Sequence, residues 1–160
     1  MRQYTKMSAL FVCILAGLCL MGWQATSSGQ WDTTALKKGI EDIGYETKLL
    51  TKEEGKETYE FKVVRGGLDI PIMAEITSSK SYIWLTVVLN TLKEGDGDVA
   101  KYRKLLQANG EIQPCQFFMN KSDRLKAAIA LDNRGMTNAT LRKSVEKLVN
   151  DIVSTKATWQ

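Results

Sequence analysis

A chain of 160 residues, 44% hydrophobic and 25% charged, has the length of one domain and the composition of an ordinary globular protein. This argues against intrinsic disorder, collagen and coiled-coil arrays. The formal net charge is +4 and histidine is absent, which excludes Ser-His-Asp and Cys-His catalysis and the commonest zinc sites, because imidazole performs those tasks.

Residues 1–29 are predicted to form an export signal. Arg2 and Lys6 give it a positive start, residues 7–22 form an uncharged apolar run, and small residues follow. The apolar run is shorter than the roughly 20 residues that span a bilayer comfortably, which favours cleavage over a retained anchor. We therefore expect one mature domain, residues 30–160, that is periplasmic or secreted, and contact with the membrane only if the leader is uncleaved.

Removal of the leader changes the charge and the cysteine count. The mature chain keeps 20 basic and 18 acidic residues, a net charge of +2. Its lysines are dispersed among acids, so it lacks the basic stripe that nucleic acid requires, and nucleic acid is not expected as a partner. Cys115 is the one cysteine left, so no internal disulfide can form.

The first predicted helix begins at Asp32, whose carboxylate can cap free N–H groups. Leu36, Ile40 and Ile43 fall on one face, and Gly44 ends the helix. Six segments beyond it alternate between apolar and polar residues or are apolar throughout, as strands do. The predicted strands are residues 45–51, 57–65, 68–77, 81–91, 112–119 and 124–132.

Two further helices are predicted. The first carries an apolar stripe that includes Val99 and Leu106, and Asn109-Gly110 is expected to give it a left-handed stop. The last starts at about Thr137 and is amphipathic. The order α-β-β-β-β-α-β-β-α predicts an α+β fold, an antiparallel sheet with helices packed on one side.

The fourth predicted strand, residues 81–91, is apolar on both faces. One face carries Tyr82, Trp84 and Val88. Aromatic residues on a sheet surface that helices leave open mark binding or dimer surfaces. These three residues are therefore a candidate protein-binding or dimer face, with plain burial in the core as the alternative.

The run 102–110, with Leu105, Leu106 and Asn109 at its end, is followed by a pair of strands and then by a long amphipathic helix ending at Trp159. In this the chain resembles the type III secretion chaperone-like superfamily, which includes YbjN-like proteins and the CesT-type fold. The element order matches over residues 32–159. The export signal and the slightly positive charge depart from the secretion chaperones.

The resemblance implies the secretion chaperone-like fold and a non-enzymatic, often dimeric protein that holds an extended segment of a protein client. We therefore expect this chain to have the same fold and to bind a protein. The client class of the secretion chaperones is not carried over, since those proteins act before export.

Cys115 and an acidic loop are two further candidate sites. Cys115 is interpreted as a small buried hydrophobe, with an intermolecular disulfide or reactive thiol as the alternative. Glu94, Asp96 and Asp98 lack the remaining ligands of a calcium loop, so they are interpreted as a polar loop with a helix cap. No catalytic, cofactor-binding or metal-binding residue is predicted.

The sequence is compatible with three functions. The first hypothesis is an exported, non-catalytic module that forms a homodimer or binds an envelope protein client through an apolar sheet face. A carrier of a small apolar ligand would need an enclosed pocket beside Trp84. An envelope enzyme would need a buried pair of acids or a reactive Cys115, and the alternation patterns do not supply such acids.

Overall fold

A computed structural model describes residues 29–91 and 99–160. The predicted leader falls almost wholly outside these ranges, as do Glu94, Asp96 and Asp98, so both interpretations stay predictions. The helices are α1 (Thr33–Asp42), α2 (Val99–Glu111), α3 (Asn138–Ser154) and α4 (Lys156–Trp159). The strands are β1 (Lys48–Thr51), β2 (Thr58–Arg65), β3 (Leu68–Ile76), β4 (Tyr82–Thr91), β5 (Gln116–Met119) and β6 (Arg124–Asp132).

The six strands form one antiparallel sheet in the order β1-β2-β3-β4-β6-β5. The first four strands follow one another as hairpins, and β6 returns between β4 and β5. Helices α1 and α3 pack on one side of this sheet. The predicted α+β fold and its element order are confirmed, with α4 as one short additional helix.

The hydrophobic core lies between the sheet and the helices. In β2, β3 and β6 every second side chain is buried there, as the period of two predicts. The helices fill the other side with residues at helical spacing. Fully buried side chains at the centre include Phe61, Leu36, Ile40, Ile72, Ile83, Leu85, Leu141 and Leu148. Burial of each contributes roughly 1.5–3 kcal/mol.

Local signals set the ends of the helices. The carboxylate of Asp32 accepts a hydrogen bond from the backbone N–H of Ala35 (2.7 Å), as predicted. Gly44 follows α1 with φ of +100°, a conformation that glycine adopts at no steric cost. Thr137 caps α3 by accepting a hydrogen bond from the N–H of Thr140 (3.1 Å), which also agrees with prediction.

The predicted end of α2 is wrong. The helix continues through Asn109 and Gly110 to Glu111, and Gly110 is helical rather than left-handed. The Asn109 side chain bonds to the backbone of Phe117 instead of forming a local turn. A turn then occupies residues 112–115, so the strand that was predicted from residue 112 begins at Gln116.

The C-terminal helix is also shorter than predicted. It ends at Ser154, where Thr155 donates its N–H (3.0 Å) and its hydroxyl (2.5 Å) to the carbonyl of Asp151. The short α4 then turns Trp159 back into the core, and its indole N–H donates to the carbonyl of Ile152 (2.9 Å). The return of Trp159 to the core therefore interrupts the helix.

Within the described ranges, none of the helices combines the length and the apolar character needed to cross a bilayer.

Candidate protein-binding face

Strand β4 divides its side chains between the core and the opposite surface of the sheet. Ile83 and Leu85 are fully buried beneath the helices. Tyr82, Trp84 and Val88 alternate with the core residues and lie on the other surface, where Tyr82 is 49% exposed and the other two are half-buried. We call this surface the outer face: the side of the sheet that carries Tyr82, Trp84 and Val88.

The strands beside β4 continue the outer face around Trp84. The register places Trp84 between Glu75 of β3 and Ala130 of β6. One pair further along, Thr86 lies between Met73 and a fully buried alanine of β6. Alanines on β6 leave the indole and its neighbours without a tall side chain on that flank. Ala128 is 0% and Thr86 is 9% exposed, so neighbouring side chains cover this part of the outer face, and Trp84 lies half-buried beside it.

The outer face reaches the far edge of the sheet near Val88. Val88 lies opposite Lys126, and Lys126 lies opposite Phe118 of β5. Both neighbours are half-buried, and a lysine stem can cover apolar surface while its charge stays in water. Sequence reasoning missed Met73 and Phe118 because it treated β4 by itself. The alternation in β3 and β6, combined with the strand order, is the signal that would have found them.

The Tyr82 end of β4 is anchored by a buried side chain. Asn133 is 0% exposed. Its Oδ1 accepts from the N–H of Trp31 (3.0 Å), and its Nδ2 donates to the carbonyls of Trp31 (2.9 Å) and Lys80 (2.9 Å). Its own N–H donates to the carbonyl of Ser81 (2.9 Å). These bonds join the chain before α1, the β3–β4 turn and the end of β6.

A charged pair borders the same end. Tyr82 lies opposite Asp132, whose carboxylate accepts from the side chain of Arg134 at 2.6 to 3.2 Å. The side-chain and backbone hydrogen bonds of Arg134 lower the pKa of Asp132 to about 2. The carboxylate is therefore ionised at neutral pH and gives the apolar face a polar rim.

Cys115 lies away from the outer face, in the turn before β5, and is 1% exposed. Burial, and then the nearby charge of Asp151, raise the pKa of the thiol to about 12. The Asp151 carboxylate accepts from Lys147 (2.5 Å), which also donates to the carbonyl of Ile112 (2.9 Å). A disulfide between chains or any reaction of this thiol would require the turn to open first.

Helix α2 exposes two apolar residues that the sequence pattern assigned to its buried stripe. Leu105 and Ala108 are buried, but Leu106 is 71% exposed and Val99 is exposed as well. Its main contacts are with α4 and with the edge strand β5. Its buried apolar stripe is therefore narrower than predicted, and Leu106 is exposed to solvent.

The described residues contain no group of three or more cysteine, aspartate or glutamate side chains placed to hold a metal ion. On the outer face, aromatic rings and aliphatic groups are bordered by single charges. Such a surface is suited to bind an apolar or amphipathic polypeptide.

The chain matches no protein-family model and no curated protein sequence. It is similar in structure to SchA in its chaperone–effector complex with HopA1 (TM-score 0.50, 14% identity, 73% of this chain and 86% of that chain). It is also similar to YbjN, a candidate transcription regulator from E. coli (TM-score 0.54, 14% identity, 78% and 90%). A further similar structure is the Yersinia pestis type III secretion chaperone SycH with a fragment of YscM2 (TM-score 0.47, 15% identity, 74% and 94%).

The first two similarities cover most of both chains and confirm the expected fold. This chain has the type III secretion chaperone-like fold, an antiparallel sheet with helices packed on one side.

Proposed function

We propose that the mature domain is an exported, non-catalytic protein-binding module that holds a segment of an envelope protein client on its outer face. The observation that carries this proposal is the position of Tyr82, Trp84 and Val88. They form an apolar surface on the side of the sheet that α1 and α3 do not cover.

The composition of the outer face supports a protein client. Tyrosine and tryptophan are enriched among the residues that contribute most to protein–protein affinity, because they bury a large area and retain a polar atom. Asp132 and Arg134 form a polar, solvent-exposed rim, as is usual at the margin of protein interfaces. SchA, which shares the fold, occurs in a complex described as chaperone and effector. That description adds support for a chaperone-like role.

Self-association is the second part of the proposal, and it rests on α2. Leu106 and Val99 are large apolar side chains on its solvent side. A second copy of the chain that covered them would remove both from water. We propose a homodimer through α2, which leaves the outer face free for the client.

The client proposal is tested with residues 30–160 immobilised and exposed to an envelope extract, with the bound proteins identified by mass spectrometry. Trp84→Ala should abolish enrichment of the client. Lys143→Ala, on the exposed side of α3, should leave it unchanged. Circular dichroism verifies that both variants fold. Equal enrichment by wild type and Trp84→Ala would overturn the outer face as the binding surface.

The dimer proposal is tested by size-exclusion chromatography with light scattering, with and without reductant. We expect a dimer that reductant does not change, and a monomer for Leu106→Ser. A wild-type monomer would contradict the proposal. A dimer that reductant dissociates would assign the contact to Cys115 instead.

Export rests on the sequence of residues 1–29. In cells that produce the full chain, we expect the domain in the envelope or the medium, with its N-terminus near residue 30 by mass spectrometry. A soluble cytoplasmic product that retains Met1 would contradict export.

A further inference from the structure

Strands β3 and β4 are paired over only part of their lengths. Their ladder runs from Ile76 opposite Ile83 to Met73 opposite Thr86 and stops there. The first half of β3 continues to pair with β2, and the second half of β4 continues to pair with β6. Pro71 lies in this half of β3, and proline has no N–H to give to a ladder. The sheet therefore contains a gap between β3 and β4.

The gap contains a cavity of about 90 Å³. Leu68 and Ile70 line it from β3, Val87 and Leu89 line it from β4, and Trp159 lines it from the helix layer. These side chains present hydrocarbon and an aromatic ring. Apolar cavities bind apolar ligands, and one of about 150 Å³ admits benzene. The smaller volume here fits the branched end of an aliphatic chain better than an aromatic ring.

Three further lining residues come from the outer face. Pro71 and Val88 are half-buried, and Asp69 is exposed. Alternation along β3 and β4 places all three on the side of the sheet that carries Trp84. Among the described residues, Asp69 has no ion-pair partner within 4.0 Å. The rim of the cavity therefore carries a carboxylate that is available to a cation.

We propose that this cavity is an anchor site for one aliphatic side chain of a polypeptide, with a lysine or arginine of the same segment beside Asp69. The inference rests on the proposed function, because it deepens the recognition of the client on the outer face. Val88 is six residues from Tyr82 along β4, or about 20 Å at the rise of a strand. An extended segment of about seven residues can therefore contact the aromatic end and the cavity together.

Three small molecules with the same branched tail test the site: 3-methylbutylammonium, 3-methylbutanol and 3-methylbutanoate. Each is titrated at millimolar concentrations into residues 30–160, with the methyl resonances of leucine, isoleucine and valine and the indole N–H of Trp159 observed by NMR. We expect shifts confined to the cavity lining. The ammonium should bind several-fold more tightly than the alcohol, and the alcohol several-fold more tightly than the carboxylate.

Two variants separate the tail from the charge. Asp69→Asn should remove the advantage of the ammonium and leave binding of the alcohol intact. Val88→Phe should fill the cavity and abolish the shifts from all three molecules. The control Leu50→Phe, which adds the same ring on exposed β1, should abolish none. The NMR spectrum of each variant reports whether it is folded.

Shifts outside the cavity lining, no shifts at the highest concentration, or an unchanged preference for the ammonium in Asp69→Asn would each overturn the anchor site. These outcomes are independent of the client experiment. If the small molecules bind as expected and no client is enriched, the proposed function fails and the cavity remains a site for a cationic aliphatic group.

Discussion

The side chain of Asn109 forms two hydrogen bonds with the backbone of Phe117. A neighbouring strand would form the same two bonds. Phe117 donates its N–H to Oδ1 of Asn109 (2.6 Å), and Nδ2 of Asn109 donates to the carbonyl of Phe117 (3.1 Å). Phe117 belongs to β5, the last strand of the sheet. Unpaired edge strands can pair with other chains. The Asn109 side chain of α2 therefore bonds to the backbone N–H and carbonyl that the edge strand β5 would otherwise leave unpaired at Phe117.

This relationship predicts that Asn109→Ala lowers the free energy of unfolding by about 1–3 kcal/mol, since it leaves a backbone donor and acceptor without partners. Urea denaturation measures the effect. Gln107→Ala, at an exposed position of the same helix, should change the free energy by no more than about 0.5 kcal/mol. Equal effects of the two substitutions would show that the bonds to Phe117 contribute nothing to stability.

Asn133 should be among the polar residues most costly to replace. Asn133→Ala leaves the N–H of Trp31 and the carbonyls of Trp31 and Lys80 without their buried partner. We expect a loss of about 2–4 kcal/mol. The matched control is Asn150→Ala, which removes an exposed hydrogen bond to Arg65 and should cost about 0.5 kcal/mol or less. A loss at position 133 no larger than the control would contradict its role as the anchor of β4.

Acid should remove the contribution of the Asp132–Arg134 pair. The pKa of Asp132 is lowered from 3.8 to about 2 by its hydrogen bonds to Arg134. A lowered pKa in the folded state stabilises the protein above the unfolded pKa, and this stabilisation is lost as the pH falls through the folded pKa. The difference in urea midpoint between wild type and Asp132→Asn should therefore be present at pH 7 and disappear between about pH 4 and pH 2. A constant difference over that range would refute this assignment.

Cys115 should react only when the fold opens. Its thiol is buried, and a pKa of about 12 leaves about one thiolate in ten thousand at pH 8. In residues 30–160 we expect slow modification by a thiol reagent under native conditions and rapid modification in denaturant. Native modification as fast as that of a free cysteine would contradict the burial of this side chain.

Most of the fold could be predicted from the sequence because each signal was local. Alternation in β3 and β6 and the caps at Asp32 and Thr137 act over a few residues. The predictions failed where a distant partner decided the structure. Asn109 pairs with Phe117 rather than ending α2, and the return of Trp159 to the core divides the last helix.

The candidate face could be predicted only in part. Because both faces of β4 are apolar, the sequence identified Tyr82, Trp84 and Val88 as a candidate binding face. It did not indicate which face of the sheet the helices cover. The gap between β3 and β4 depends on where a ladder stops. Pro71 was its only sequence signal, and the alternation around Pro71 continues without interruption.

Photo-crosslinking from the outer face tests the central claim most directly. A photoreactive phenylalanine analogue replaces Tyr82 in the full chain, and the same analogue at Lys143 on α3 serves as the control. After irradiation of cells that produce each variant, we expect position 82, but not position 143, to give an adduct with one envelope protein, identified by mass spectrometry. No adduct from position 82, or the same adducts from both positions, would contradict the proposal that the outer face holds a protein client.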